Sequence, residues 1–338
     1  MNVSRLSIIP AFTFLVLALL GSVLLSLASG ATGFGFHPEG IDDPAVTRLI
    51  IMGIRLPRIV LAVLVGAGLG AAGAVMQGLF RNPLADPGLI GVSSGAALGA
   101  TVMIIEGVSW FGPGIMARWG IPAGGMIGAC IMTSILQRFS SRQGKVSTSR
   151  LVLAGVALGA LASAATGILL YRANDAALRD LTFWTMGSLA GVRWREIEIL
   201  APFTLLSLTL LMALSRPLNL LLLGEENAAL MGCRVGRVKF LCLLAVTLSV
   251  GSGVAFSGVI GFVGVIVPHL VRLVSGPDHR FLVPCSSLLG ALLLVLSDTL
   301  ARLIAIPSDV PVGIITAGMG APAFIWLLMR RSDQEIPS

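Results

Sequence analysis

Residues 66–74 read Gly66-Ala-Gly-Leu-Gly-Ala-Ala-Gly-Ala74 and lie inside a stretch, 57–80, whose only charge is Arg58. At 1.5 Å per residue a helix over that stretch is about 36 Å long, enough to cross the roughly 30 Å hydrocarbon core of a bilayer. So much glycine would weaken a helix in water. In lipid it has a use, because no hydrophobic drive brings spanning helices together and small residues let their backbones approach and pack. The run Ala154-Gly-Val-Ala-Leu-Gly-Ala-Leu-Ala-Ser163 has the same character. Such faces also suit helices that part around a passing solute.

Outward from this stretch, apolar runs of spanning length recur along the chain. Of its 338 residues 56% are hydrophobic and 12% charged, about half the charged share of a soluble domain. The alternating pattern of a membrane β-barrel is absent. The fold class expected is all-α integral membrane, a single polytopic domain over 1–338. Spans are placed at approximately 8–29, 57–80, 89–105, 113–138, 150–171, 197–215, 235–256, 258–275, 282–305 and 311–329. The first follows Arg5 and exceeds the 7–15-residue core of a cleaved signal, so it reads as a retained helix. Pro122 and Pro268 mark the fourth and eighth spans as candidates for bends.

With an even number of spans both termini share a side, and that side receives 14 of the 23 basic residues. The excess puts both termini in the cytoplasm. The other side still holds nine, Arg48, Arg55, Arg58, Arg118, Arg172, Arg179, Arg193, Arg195 and Arg302. The net charge of +7 comes without a basic block, so nucleic acid is not expected as a partner. Cys130, Cys233, Cys242 and Cys285 lie in or beside apolar segments without metal-ligand spacing and read as buried thiols. An internal echo relates Gly88-Leu-Ile-Gly-Val92 to Gly258-Val-Ile-Gly-Phe262, each preceding a short Gly-rich span. Spans 2–5 and 7–10 would then form an inverted repeat, a transporter feature.

The chemistry an enzyme needs is missing. His37 falls outside the membrane, His279 in a cytoplasmic loop and His269 at a helix end, and no catalytic motif surrounds them. Gly144-Lys145 lacks the glycines of a nucleotide-binding loop. An ion-coupled carrier, the rival transport class, places ionisable groups mid-membrane. Here Asp298 is the main one, and Arg302 one turn on can neutralise it. The chain therefore reads as a conduit whose energy comes from a partner. Within the loop 216–234, Gly224-Glu-Glu-Asn-Ala-Ala-Leu-Met-Gly232 is a short, charged, helix-forming element too polar to span. It fits an interfacial loop or the coupling helix of an ABC permease.

Further motifs are Arg55-Leu-Pro-Arg58, Gly73-Ala-Val-Met-Gln77, Arg81-Asn-Pro-Leu-Ala-Asp-Pro-Gly88 and Ser147-Thr-Ser-Arg150. To these add Phe183-Trp-x-x-Gly-Ser188, Pro268-His-x-x-Arg272, Asp278-His-Arg280 and Gly320-Ala-Pro322. Together, across nearly the whole chain, they resemble the FecCD-type ABC transporter permeases, which serve import of ferric siderophores, haem and vitamin B12. The resemblance implies a homodimer or pseudo-dimer with the pathway at its interface. It also implies two ABC ATPase subunits that use ATP and Mg, a periplasmic substrate-binding protein, and residence in the bacterial inner membrane among lipid. This chain itself is expected to bind no cofactor or metal and to catalyse nothing.

Residue by residue, Arg55, Arg58 and Arg302 match outward-facing arginines that receive glutamates of the binding protein; headgroup snorkelling is the other reading. Asn82, Pro83 and Leu84, with Ser147 and Thr148, match the cytoplasmic mouth of the pathway. Glu225, Glu226, Ala228, Ala229 and Gly232 match the ATPase-contacting loop. Tyr171, Arg172, Arg179 and Trp184, near the outer end of the fifth span, are candidate pathway residues for an anionic or aromatic cargo, or else interfacial anchors. The cargo expected is an iron chelate, haem or a ferric siderophore, with vitamin B12 as the alternative.

Overall fold

The computed structural model describes residues 5–30, 33–35, 43–115, 119–142, 145–306 and 308–332. His37 and Arg118 lie outside the described residues. Where no water satisfies backbone groups, a chain this apolar must bond its own N–H and C=O within each segment, and helices do that. In chain order they are α1 (Arg5–Ala28), α2 (Pro44–Phe80), α3 (Val92–Ile115), α4 (Ile121–Ser140), α5 (Thr148–Tyr171), α6 (Asp175–Thr185) and α7 (Trp194–Ala213). There follow α8 (Ser215–Leu222), α9 (Glu225–Leu230), α10 (Val235–Ser257), α11 (Val263–Ser275), α12 (His279–Ile304) and α13 (Val312–Ser332). Two small antiparallel hairpins pair Ser29–Gly30 with Gly33–Phe34 and Ser141–Arg142 with Lys145–Val146.

Among the described residues, α1, α2, α3, α5, α7, α10 and α12 are long and apolar enough to cross a membrane. The 20-residue α4, the shorter α11 and the stretch Val312–Ile325 of α13 are further apolar helices. A helix lies over each expected span, with bounds that shift for local reasons. α2 begins at Pro44 rather than 57, because Asp43 accepts the Ala45 N–H at 2.8 Å and Pro44 needs no donor in the first turn. A π-helical stretch, Leu49–Arg55, then carries it into the expected span. α3 passes the expected end at 105 and is interrupted only at Gly112, whose φ is 74°. Pro122 is the second residue of α4, directly after the π-helical residues Trp119 and Gly120. In the eighth span the interruption sits at the start: residues 258–262 are non-helical, with Gly258 at φ 67° and Phe262 at φ 68°, and α11 continues through Pro268.

The helix opened by the glycine stretch is the centre of the molecule. α2 packs chiefly on α12 and also on α11, α7 and α10. A Cβ added at Gly66 would lie 2.4 Å from the Gly290 carbonyl oxygen, and one at Gly290 would lie 2.2 Å from that of Gly66. Gly70 meets Ser286 in the same way one turn on. A second crossing of this kind joins α3 to α4, Gly95 and Gly99 against Gly124 and Gly128. Both are small-x-x-x-small contacts in which the backbones themselves touch. Two buried polar bonds join helices within this core: Gln77 Nε2 donates to the Val265 carbonyl at 3.0 Å, and Thr247 Oγ1 bonds Thr133 Oγ1 at 3.0 Å.

Candidate functional site

The end of the bundle expected to face outward is built around three arginines and two aspartates. Arg58, two residues into the regular part of α2, donates through Nε to both oxygens of Asp298 on α12 at 2.9 and 3.1 Å. Its Nη1 reaches Asp309, in the α12–α13 connection, at 2.6 Å. Arg302 stands one helical turn beyond Asp298 and approaches it at 3.3 Å, as the i,i+4 spacing leads one to expect. Arg302 also donates to the Ser29 carbonyl at 2.9 Å and to Ser26 Oγ at 2.6 Å. Arg55 donates to the Leu27 carbonyl at 2.6 Å and that of Gly35 at 3.3 Å. The last turn of α1 carries no basic residue of its own. Two arginines from other helices therefore satisfy its terminal carbonyls and face its negative dipole end.

Arg55, Arg58 and Arg302, expected as outward-facing arginines that receive glutamates of a binding protein, come together at this end of the bundle. All three are buried, and each donates to acceptors within the chain. For Arg58 and Arg302 the physical reason is the carboxylate of Asp298, 1% exposed, which could not remain charged in an apolar bundle without cations around it. Asp309 differs in being 40% exposed, so it is the member of the cluster most open to solvent. Composition could not show this, because Arg58 and Asp298 are separated by 240 residues.

At the opposite end α9 forms over Glu225–Leu230, bounded by Gly224 at φ 104° and Gly232 at φ 83°, conformations that favour glycine. Ala228 is buried, while Glu226, Ala229, Leu230 and Met231 are exposed. Glu225 reaches Lys239 of α10, Oε1 to Nζ, at 2.7 Å. Nearby, α8 is tied to α12: Asn219 Nδ2 donates to Asp278 Oδ1 at 2.6 Å, and Asn219 Oδ1 accepts the His279 backbone N–H at 2.9 Å. Burial works against the charge of Asp278, but the Arg280 N–H, the Asn219 amide and the neighbouring Arg280 outweigh it, holding the carboxyl below its ordinary range. His279 is the buried first residue of α12, not a loop residue, and His269 lies inside α11 rather than at its end. Neither the Glu225–Lys239 pair nor the Asn219 bridge was expected from sequence; a lone lysine in an apolar helix start was the available signal.

Asn82, Pro83 and Leu84 form a turn in which Asn82 Oδ1 accepts the Leu84 N–H at 2.9 Å. Ser147 precedes the first turn of α5, where its carbonyl accepts the Leu151 N–H at 3.0 Å, and Thr148 begins the helix. The two segments share a neighbour, the 3-10 turn Pro87–Ile90, on which α5 packs. Tyr171 and Arg172 are exposed at the end of α5, and Arg179 is exposed on α6. Trp184, in the last turn of α6, is half-buried, and the loop at Gly258 runs against its backbone. A cavity of about 300 Å³ opens between α3 and α5, lined by Ser93, Ser94, Ser163, Thr166 and, from the interrupted segment, Val259. Among the described residues no group of His, Cys, Asp or Glu could hold a metal ion.

A family model described as the FecCD transport family matches residues 9–330. The chain belongs to that family. It is 44% identical over 286 residues to the hemin transport system permease protein HmuU of Yersinia pestis, covering 85% of each chain. To the vitamin B12 import system permease protein BtuC of Klebsiella pneumoniae it is 41% identical over 317 residues, covering 94% of this chain and 92% of the relative. Among solved structures, an inward-facing conformation of a metal-chelate type ABC transporter superposes with a TM-score of 0.84 at 34% identity, covering 94% of this chain and 98% of the other. The FecCD family member described here is accordingly a multi-pass membrane permease of the ABC transporter class.

Proposed function

We propose that this FecCD family chain is the permease subunit of a binding-protein-dependent importer that moves an iron chelate, with haem as the first candidate, inward by alternating access. The observation that carries the cargo is the 44% identity to the hemin permease over 85% of both chains. Haem presents two propionates beside a large apolar face. Exposed Tyr171 and Arg172 at the end of α5, Arg179 on α6 and half-buried Trp184 in the last turn of α6 offer matching chemistry. Vitamin B12 is the second reading, favoured by the 94% coverage in the match to the cobalamin permease.

Two copies of the chain, or this chain and a similar one, would enclose the pathway, with α5 and the hydroxyl-lined cavity beside it. Both termini would face the cytoplasm, as the distribution of arginine and lysine indicates. A loaded binding protein would dock at the arginine end, its carboxylates replacing Asp309 beside Arg58 while Arg55 and Arg302 keep the end of α1 in place. Two ATPase subunits, using ATP and Mg, would engage Glu225, Glu226, Ala228, Ala229 and Gly232. The segments at Asn82–Leu84 and Ser147–Thr148 would narrow the cytoplasmic mouth. The test is to co-express the chain with its cognate ATPase and binding protein and measure ATP hydrolysis in lipid nanodiscs. Loaded binding protein should stimulate hydrolysis of the complex; a chain that purifies alone and leaves hydrolysis unchanged would contradict the reading.

A further inference from the structure

Lys239 has a combination of properties that ordinary loop packing does not require. Its side chain is 1% exposed, yet it carries an ammonium group, which needs a carboxylate when taken out of water. That carboxylate is Glu225 at 2.7 Å, itself 39% exposed and the first residue of the six-residue α9. The pair thus joins the short exposed helix to α10. α10 in turn runs to Ser257, packs on α2, α4 and α7, and ends at the interrupted segment 258–262 that borders the hydroxyl-lined cavity. On its other side α9 presents Leu230, 87% exposed, with Met231 beside it. Gly224 and Gly232, at positive φ on either side of α9, bring the conformationally least restricted residue type into its links to α8 and α10.

We propose that Lys239 is the positioning residue of the coupling device: through Glu225 it fixes α9 to α10, so that a displacement of α9 by the ATPase moves α10 and the interrupted segment instead of being absorbed at the two glycines. The proposal rests on the reading of α9 as the ATPase contact. A purely structural role makes a different forecast. Removing one partner of a buried pair is costly when the other charge stays buried, but the Glu225 left by Lys239→Met is 39% exposed and can stay hydrated.

The experiment uses the full complex of chain, ATPase and binding protein in proteoliposomes, with Lys239→Met, Lys239→Arg and the exchange Glu225→Lys with Lys239→Glu. A Leu230→Cys crosslink to the ATPase is measured in each background. Lys239→Met should keep the crosslink and basal hydrolysis while stimulation by loaded binding protein falls about tenfold, within the range that coupling between sites spans. Lys239→Arg should retain stimulation, and the exchange should restore part of it. A Lys239→Met complex with full stimulation and unchanged cargo moved per ATP would overturn the proposal. Absence of the crosslink in the wild-type background would instead remove the assignment of α9 itself. If Lys239→Met fails to assemble, Glu225→Ala with Lys239→Met decides: full stimulation in that pair also overturns the proposal.

Discussion

Arg58 holds two carboxylates at once, Asp298 within 2.9 Å and Asp309 at 2.6 Å, and the two differ in exposure from 1% to 40%. The inner pair is sealed from solvent and the outer one is partly open to it. Asp298 faces Arg302 as well, so Asp298→Asn would leave two buried guanidinium groups short of their counter-charge. A loss of about 3–5 kcal/mol is expected, seen as a lower thermal midpoint in detergent. An unchanged midpoint would show that the cluster does not hold α2 to α12.

Asp309 leads to a result of opposite sign. If incoming acids displace it, Asp309→Asn should tighten docking of the binding protein about fivefold, since a partly exposed pair contributes up to ~1 kcal/mol. Arg58→Gln should weaken docking at least tenfold while retaining an amide donor for Asp298. Binding-protein affinity measured on nanodisc-embedded complexes reads both. Equal affinity in all three chains would take Arg58 and Asp309 out of the docking surface.

Gly290→Leu places a side chain where the Gly66 carbonyl already stands, 2.2 Å from the added Cβ. Neither helix can yield without separating, so destabilisation of about 1–3 kcal/mol or more is expected. A Cβ added at Gly318 on α13 would meet no atom within 4 Å, and Gly318→Leu should be nearly neutral. Comparing the two thermal midpoints checks whether close backbone approach, rather than glycine content as such, sustains the bundle.

Acid should loosen the α8–α12 corner. The folded carboxyl of Asp278 lies below its ordinary range, so its contribution is complete above the unfolded value near 4 and is lost as pH falls through the lower folded value. Asp278→Asn should remove that part of the acid sensitivity. Proteolysis or hydrogen exchange at Ser215–Leu222 between pH 6 and 3 would show it, and a variant as acid-sensitive as wild type would argue against the Asn219–Asp278 tie.

Much of the bundle was legible because the bilayer imposes one simple rule. An apolar stretch of some 20 residues has few alternatives to a helix, and the glycine pattern of α2 announced the close crossing later seen at Gly66 and Gly290. Bounds were less legible where a cap decided them, as Asp43 does for α2 and Gly258 with Phe262 for α11. The Asp298–Arg302 pair was visible because it is local. Asp309 as a second acid for Arg58, the arginines that finish α1, and Glu225 on Lys239 join distant parts of the chain or depend on which side chains are buried. Spacing along the sequence carries no trace of either.

The central claim is ATP-driven import of an iron chelate, and uptake by the reconstituted complex tests it most directly. Proteoliposomes holding the chain with its ATPase would receive binding protein loaded with haem or with cobalamin, with and without ATP, under a constant ion gradient. The account expects haem to accumulate only with ATP and cobalamin to be left outside. Accumulation of cobalamin in place of haem would move the chain to the second cargo, and uptake that follows the ion gradient without ATP would contradict the account as a whole.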